Sequence, residues 1–226
     1  HLQILASVCN ALDFAHSRGV VHRDVKAQNV LIGRFGDVYL ADWGVAGTLG
    51  ARSEALCGTP AFLAPEMVAG DPSLVDARTD VYLLGGTLHA ILTRRARHAG
   101  ENLRQILVAA VLSEPFAHDP SVPGELAALA NDSTAADPLA RPQTAAAFRE
   151  RLTQFLRHRG SLRLAEESRA RLDGVLAGEL ARAAGERPSL DRGAAAALLE
   201  CRFGFTQALR EWPGNDVARA GLRQTV

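Results

Sequence analysis

Residues 20–44, VVHRDVKAQNVLIGRFGDVYLADWG, constrain this chain more than any other stretch. A short apolar run, Val20-Val21, precedes a polar cluster that extends from His22 to Asn29. Two β-rich runs follow, Val30-Leu31-Ile32 and Val38-Tyr39-Leu40, on either side of Gly33-Arg34-Phe35-Gly36. β-Branched and aromatic runs bounded by glycine predict a hairpin. A hairpin returns its second strand to the start of its first, which brings Asn29 near Asp42. Two oxygen-bearing side chains converging on one point suit a hard cation such as Mg²⁺. Asp24 can face the same point without being spent as a metal ligand.

His22-Arg23-Asp24, with Asn29 five residues after the Asp and Asp42-Trp43-Gly44 beyond it, resembles the catalytic loop and metal-binding turn of protein kinases. Trp43 stands where that family more often has Phe, and an aromatic anchor is kept. Residues 58–66, GTPAFLAPE, resemble the family's activation-segment ending. Lys26 and the Gly58-Thr59 pair before Pro60 point to the serine/threonine branch, of bacterial type. The likeness covers residues 2–159. It implies a mainly α fold: a kinase-like C-terminal lobe at 1–159 with a small β-hairpin, followed by a helical tail at 160–226. The glycine-rich loop, strand-borne Lys and helix-borne Glu that close over the phosphates in that family are not among these 226 residues. With His1 first and Met67 the only methionine, a fragment carrying one lobe is the expectation.

The resemblance implies a role for each matching residue. Asp24 would orient a substrate hydroxyl and take its proton, and Lys26 would neutralise charge on the transferring phosphoryl group. Asn29 and Asp42 would hold Mg²⁺ on ATP, and Leu31 would floor the adenine. Arg23 would pair with a phosphorylated activation segment, for which Thr48 and Ser53 offer hydroxyls that could equally stay unmodified. Thr59 fits a structural hydroxyl near Asp24 and Lys26. Asp80 would brace the catalytic loop, although a helix N-cap at Asp80 or Thr79 is the plainer reading. Arg141, in the late Asp137-Pro138-Leu139-Ala140-Arg141-Pro142 signature, would pair with Glu66 in the interior.

Composition narrows the setting. Lys26 is the only lysine in the chain, and a compact ammonium serves a phosphoryl oxygen differently from the planar fork of Arg. Chance survival of one lysine is the bland alternative. The formal net charge is zero, so nothing marks the chain for nucleic acid. No apolar run approaches the roughly 20 residues that span a bilayer, and the first residues do not read as a signal peptide. Three scattered cysteines suggest a reducing, cytoplasmic location.

Helical patterning covers most of the remainder. Apolar stripes predict helices over residues 1–18, from Asp80 to Thr93, over 103–112, from Glu125, and from Pro142 to near Gly160. In the tail, residues 201–209, CRFGFTQAL, followed by Trp212-Pro213-Gly214-Asn215 and Ala218, resemble the second half of a tetratricopeptide repeat, with a small residue, an aromatic, Ala-Leu and Pro at roughly repeat spacing, and an ordinary helical linker is the alternative. Two function classes follow. One is the catalytic lobe of an ATP-dependent serine/threonine protein kinase acting on protein substrates, inactive as an isolated fragment. The other is a non-catalytic remnant whose helices, the tail included, bind protein partners.

Overall fold

The computed structural model describes residues 1–48, 57–183 and 192–225. They form two compact units, His1–Thr153 and Gln154–Val226. In the first, helix α1 (Leu2–Ser17) buries Leu5, Val8, Leu12 and Ala15 of the stripe that its sequence spacing predicts, and Cys9 beside them, while Leu2 stays partly exposed. It stops where Gly19 takes φ +72°, a left-handed conformation that glycine adopts without strain.

Strand β1 (Val20–Val21) pairs antiparallel with β4 (Gly47–Thr48), so the chain before the catalytic loop is tied to the chain after the Asp42 turn. Strands β2 (Val30–Ile32) and β3 (Val38–Leu40) form the predicted hairpin, with Val30 opposite Leu40 and Ile32 opposite Val38. Gly36 closes its turn at φ +90°.

Helix α2 (Pro65–Ala69) carries the Ala-Pro-Glu ending. Helix α3 (Ala77–Thr93) is the central core helix, with Val81, Tyr82, Leu83, Leu84 and Leu88 all buried. Its N-cap is Asp76, in a reciprocal box with Thr79. Neither Asp80 nor Thr79 is the cap, and Asp80 is left for other partners. Helix α4 (Leu103–Leu112) follows, then α5 (Gly124–Ser133), which lies so close to α3 that a Cβ on Gly85 would fall 2.5 Å from the Ser133 Cβ.

Helix α6 (Ala145–Ala183) departs from expectation at both ends. It begins three residues after Pro142, where the Thr144 hydroxyl accepts from the Ala147 N–H at 3.0 Å. It also runs unbroken through Gly160. A lone interior glycine costs about 1 kcal/mol against alanine, which good helix formers on either side offset.

The second unit packs the later part of α6 with α7 (Arg192–Glu211) and α8 (Asp216–Gln224). Its core is small residues around one ring: Ala165, Leu172, Cys201, Phe205, Ala208 and Ala218. Gly204 lies against Ser168 and Gly221 against the Phe205 ring, each too close for a Cβ. Ser161 donates to the Ala208 carbonyl at 2.7 Å and accepts from Asn215 at 2.8 Å. No helix among the described residues is long and apolar enough to cross a membrane.

Candidate active site

The site is built outward from Asp80, which is fully buried on the first turn of α3. Its carboxylate accepts from the backbone N–H of His22 at 2.8 Å and of Arg23 at 2.9 Å. His16 of α1 adds a third contact, Nε2 to Oδ2 at 2.7 Å. Three donors on one carboxylate fix the loop's entry, and Arg23 is held at φ +66°, a conformation costly for a non-glycine residue. The Thr87 hydroxyl of α3 reaches the Val25 carbonyl at 3.2 Å and holds the loop's far side.

His22 couples this loop to the Asp42 turn. Its Nε2 lies 3.0 Å from the Ala41 carbonyl and its Nδ1 3.2 Å from the Asp24 N–H. A carbonyl only accepts and an N–H only donates, so the ring is the neutral tautomer protonated at Nε2. The Trp43 ring meets His22 edge-on at 4.5 Å, and its indole N–H donates to the Leu40 carbonyl at 2.8 Å. Trp therefore does serve as an anchor in the turn.

Asp24 is the hub. Its Oδ2 accepts from Lys26 Nζ at 2.6 Å and Asn29 Nδ2 at 3.1 Å. Its Oδ1 accepts from the Thr59 N–H at 3.0 Å and the Thr59 hydroxyl at 2.7 Å. Lys26 also meets Thr59 Oγ1 at 2.5 Å. Burial pushes the Asp24 carboxyl up, but the bonds from Lys26, Thr59 and Asn29 outweigh it and hold the pKa below the ordinary carboxylate value. Thr59 reaches the hub because Gly58, at φ +100°, lies against the Arg23 carbonyl, where a Cβ would approach to 2.8 Å. Any side chain there would push the Thr59 segment off Asp24.

Arg23 turns away from this hub. Its Nε donates to the Val45 carbonyl at 2.6 Å and its guanidinium lies against Gly47. Thr48 stands in β4, and Ser53 lies outside the described residues.

Glu66 and Arg141 pair in the interior, the guanidinium forking onto the carboxylate at 2.7 and 2.9 Å. The side chains are 5% and 0% exposed, so this is a desolvated pair. Its remaining valences are filled. Thr79 donates to Glu66, and Arg141 donates to the carbonyls of Arg78, Ala135 and Ala136 and lies over the Tyr82 ring.

Asn29 spends its Nδ2 on Asp24, on the main-chain carbonyl at 2.7 Å as well as on the carboxylate, and so keeps its amide oxygen for another partner. The Ala41 N–H donates to the Asn29 carbonyl at 2.8 Å, which sets Asp42 one residue beyond that rung. Asp42 has φ +62°, and its carboxylate folds over its own turn toward Gly44. One amide oxygen and one carboxylate fit a hard cation, and Mg²⁺ commonly takes only one or two protein ligands, with phosphates and water completing the shell. No cluster of three or more His, Cys, Asp or Glu able to hold a metal occurs among the described residues. Leu31 is 54% exposed on β2.

The sequence reading missed His16 and, although it placed His22 in the motif, gave His22 no role. His22 had a signal, its place directly before Arg23-Asp24. His16 had none, because its partner lies 64 residues away.

Comparison with known proteins agrees with this geometry. Residues 2–155 match the protein kinase domain model. Among curated proteins, the chain is 33% identical over 162 residues to the serine/threonine-protein kinase PknB of Mycobacterium tuberculosis, covering 68% of this chain and 26% of that protein. It is 35% identical over 157 residues to PknB of Mycolicibacterium smegmatis, covering 66% and 25%. To the serine/threonine-protein kinase PknD of Chlamydia felis it is 29% identical over 178 residues, covering 69% and 19%. The matched region thus spans about a quarter or less of these relatives.

Proposed function

The chain belongs to the protein kinase family, and on that premise we propose that residues 1–159 are the substrate-side lobe of a serine/threonine protein kinase. The reading rests on one observation above others: Asp24, Lys26, Asn29 and Thr59 close into a single hydrogen-bonded cluster. ATP with Mg²⁺ supplies the transferable γ-phosphoryl group, with Asn29 and Asp42 as the residues that would hold the ion and Leu31 as the adenine floor.

A carboxylate offers about four acceptor positions, and four donors fill those of Asp24. A substrate Ser or Thr hydroxyl that donates to Asp24 must displace one of them. The Thr59 hydroxyl is the neutral donor free to rotate, so it yields first. With its pKa held low, Asp24 is a weak base. It orients the hydroxyl and receives the proton late, once bonding to phosphorus has acidified the oxygen. Lys26 Nζ, already beside Asp24, offsets the negative charge of the phosphoryl oxygens. Arg23, beside Val45 and Gly47, is the cation available to a phosphorylated activation segment.

The same proposal takes residues 160–226 as a helical tail that meets protein partners. It is supported by Leu199 and Phe203, 68% and 65% exposed on α7, and by Cys201, Phe205, Ala208 and Pro213 at tetratricopeptide-like spacing.

Transfer of radiolabelled phosphate from ATP to a generic basic protein tests the catalytic reading. These 226 residues alone are expected to give no measurable transfer, since they carry one wall of the cleft and a misplacement of about 1 Å costs about a hundredfold. Joined in frame to the small lobe of a PknB relative, they should transfer phosphate, and Asp24→Asn should abolish it. A folded fusion that is inactive, or equally active with Asp24→Asn, would overturn the assignment.

A further inference from the structure

The end of β3 leaves two main-chain carbonyls that the hairpin does not pair. Asn29 and Ala41 face each other, and the Ala41 N–H donates to the Asn29 carbonyl at 2.8 Å. The return bond is not made, because the Asn29 N–H donates to the Lys26 carbonyl at 3.0 Å, and the Ala41 carbonyl is left over. Val30 and Leu40 are the next pair. In an antiparallel ladder, hydrogen-bonded pairs alternate with pairs whose carbonyls point away from the partner strand. The Leu40 carbonyl therefore points out of the hairpin. Leu40 is buried, so its carbonyl is costly to leave bare.

Two ring N–H groups take these carbonyls. His22 Nε2 lies 3.0 Å from the Ala41 carbonyl, and the Trp43 indole donates to the Leu40 carbonyl at 2.8 Å. The two rings meet edge-on at 4.5 Å. The indole bond reaches back three residues and so closes a ring of chain around Asp42. Asp42 sits inside it at φ +62°, ψ +63°, a left-handed conformation that a residue with a Cβ enters at a cost. On the far side the Trp43 carbonyl accepts from the Ala46 N–H at 3.0 Å, so residue 43 is tied through both its backbone and its ring. The Trp43 side chain is 37% exposed, too open for packing alone to fix it. Its N–H is what ties it down, and a Phe ring has no such donor.

We propose that Trp43 is a positioning residue for Asp42: its indole N–H locks Asp42 in the left-handed conformation and so presents the carboxylate to a divalent cation in a single orientation. The cation half of this rests on the reading of Asn29 and Asp42 given above, and the lock itself does not.

Two changes in the full chain isolate the N–H. Trp43→Phe removes the donor together with part of the ring. Benzothienylalanine at position 43 exchanges only the N–H for sulfur and keeps the ring shape. Backbone NMR shifts of Asp42 report its conformation. Line broadening of the Asn29 side-chain amide and the Asp42 N–H by Mn²⁺, which takes the same oxygen ligands as Mg²⁺, reports the cation. Both changes should give a second Asp42 conformer or exchange broadening confined to residues 41–46, with the urea midpoint close to that of the parent. Both should raise the Mn²⁺ concentration for half-maximal broadening severalfold. 5-Fluorotryptophan at position 43, which keeps the N–H, should restore the parent behaviour. A single unchanged Asp42 conformer in both variants, or a benzothienyl chain that behaves as the parent, would overturn the lock. If Mn²⁺ broadens neither group in the parent, the cation half falls with the metal reading, and the Asp42 shifts alone decide the lock.

Discussion

Two regions of the first unit bury polar groups in opposite ways. Around the catalytic loop, Asp24, Asp80, Glu66 and Arg141 are all deeply buried, and each has its partners. At the corner where α3, α4 and α5 meet, His89, His98, His118 and Ser133 hold five buried side-chain atoms without a partner, all of those found among the described residues. The first region is over-determined, as a site that must hold charges in place has to be. The second is under-supplied. The histidines there stay neutral because burial disfavours their charged form, before any contribution from Arg97.

Removing one member of the over-determined region should have the largest effect. Arg141→Ala strands the Glu66 carboxylate in the interior, and losing one partner of a buried pair costs about 3–5 kcal/mol. Chemical unfolding of the full chain should register that as a large drop in midpoint. Replacing both, Glu66→Leu with Arg141→Met, should cost less than the single change, since no charge is then left unpaired. A single variant as stable as the parent would mean that the pair is hydrated in solution.

The contrast also explains what the sequence could reveal. Asp24, Lys26, Asn29, Asp42 and the 30–40 hairpin lie within one short stretch, where spacing translates directly into geometry. Glu66 and Arg141, 75 residues apart, became legible only through two separate motifs. Asp76 rather than Asp80 caps α3, because its carboxylate is the one placed to accept from the Arg78 N–H in the first turn, while Asp80 is one turn further in and faces the loop. The end expected at Gly160 failed because one glycine is a weak helix breaker. The histidine corner has no local pattern at all. His89, on a helix, meets His118, in a loop, edge-on, while His98 from another loop stacks on Tyr82, and only packing makes these contacts.

Acid should expose that corner next. His89 and His98 have pKa values pushed down from 6.5 to about 4, chiefly by burial. The groups that face them are Arg97, each other, His118, Tyr82 and the Leu63 carbonyl, with no acid among them. Between the two pKa values the unfolded chain binds the proton and the folded chain does not. Stability is therefore whole above about pH 6.5 and lost as pH falls toward about 4, by up to about 3 kcal/mol per histidine. Asp24, whose folded pKa is lowered, gives up its share only at still lower pH. Unfolding free energies at pH 7 and pH 4.5 measure the loss, and His89→Leu should flatten the profile. A profile equally steep in that variant would place the acid sensitivity elsewhere.

The smallest effects make the sharpest comparison, because the same chemical change should have opposite signs in the two regions. Thr79 and Ser133 are both fully buried hydroxyls. Thr79 donates to Glu66 Oε1 at 2.8 Å and accepts from the Asp76 N–H at 3.2 Å, so Thr79→Val leaves a carboxylate and a cap short of a partner. A lost hydrogen bond to a charged group is worth about 1.5–3 kcal/mol, and a drop of that order is expected. The Ser133 hydroxyl has no partner, so Ser133→Ala removes a desolvated group and leaves the Cβ that packs on Gly85 in place. That change should be neutral or stabilising by up to about 1 kcal/mol. Parallel urea titrations of the two variants decide it. If Ser133→Ala proves as costly as Thr79→Val, the hydroxyl has a partner in solution, and the corner is as well satisfied as the catalytic loop.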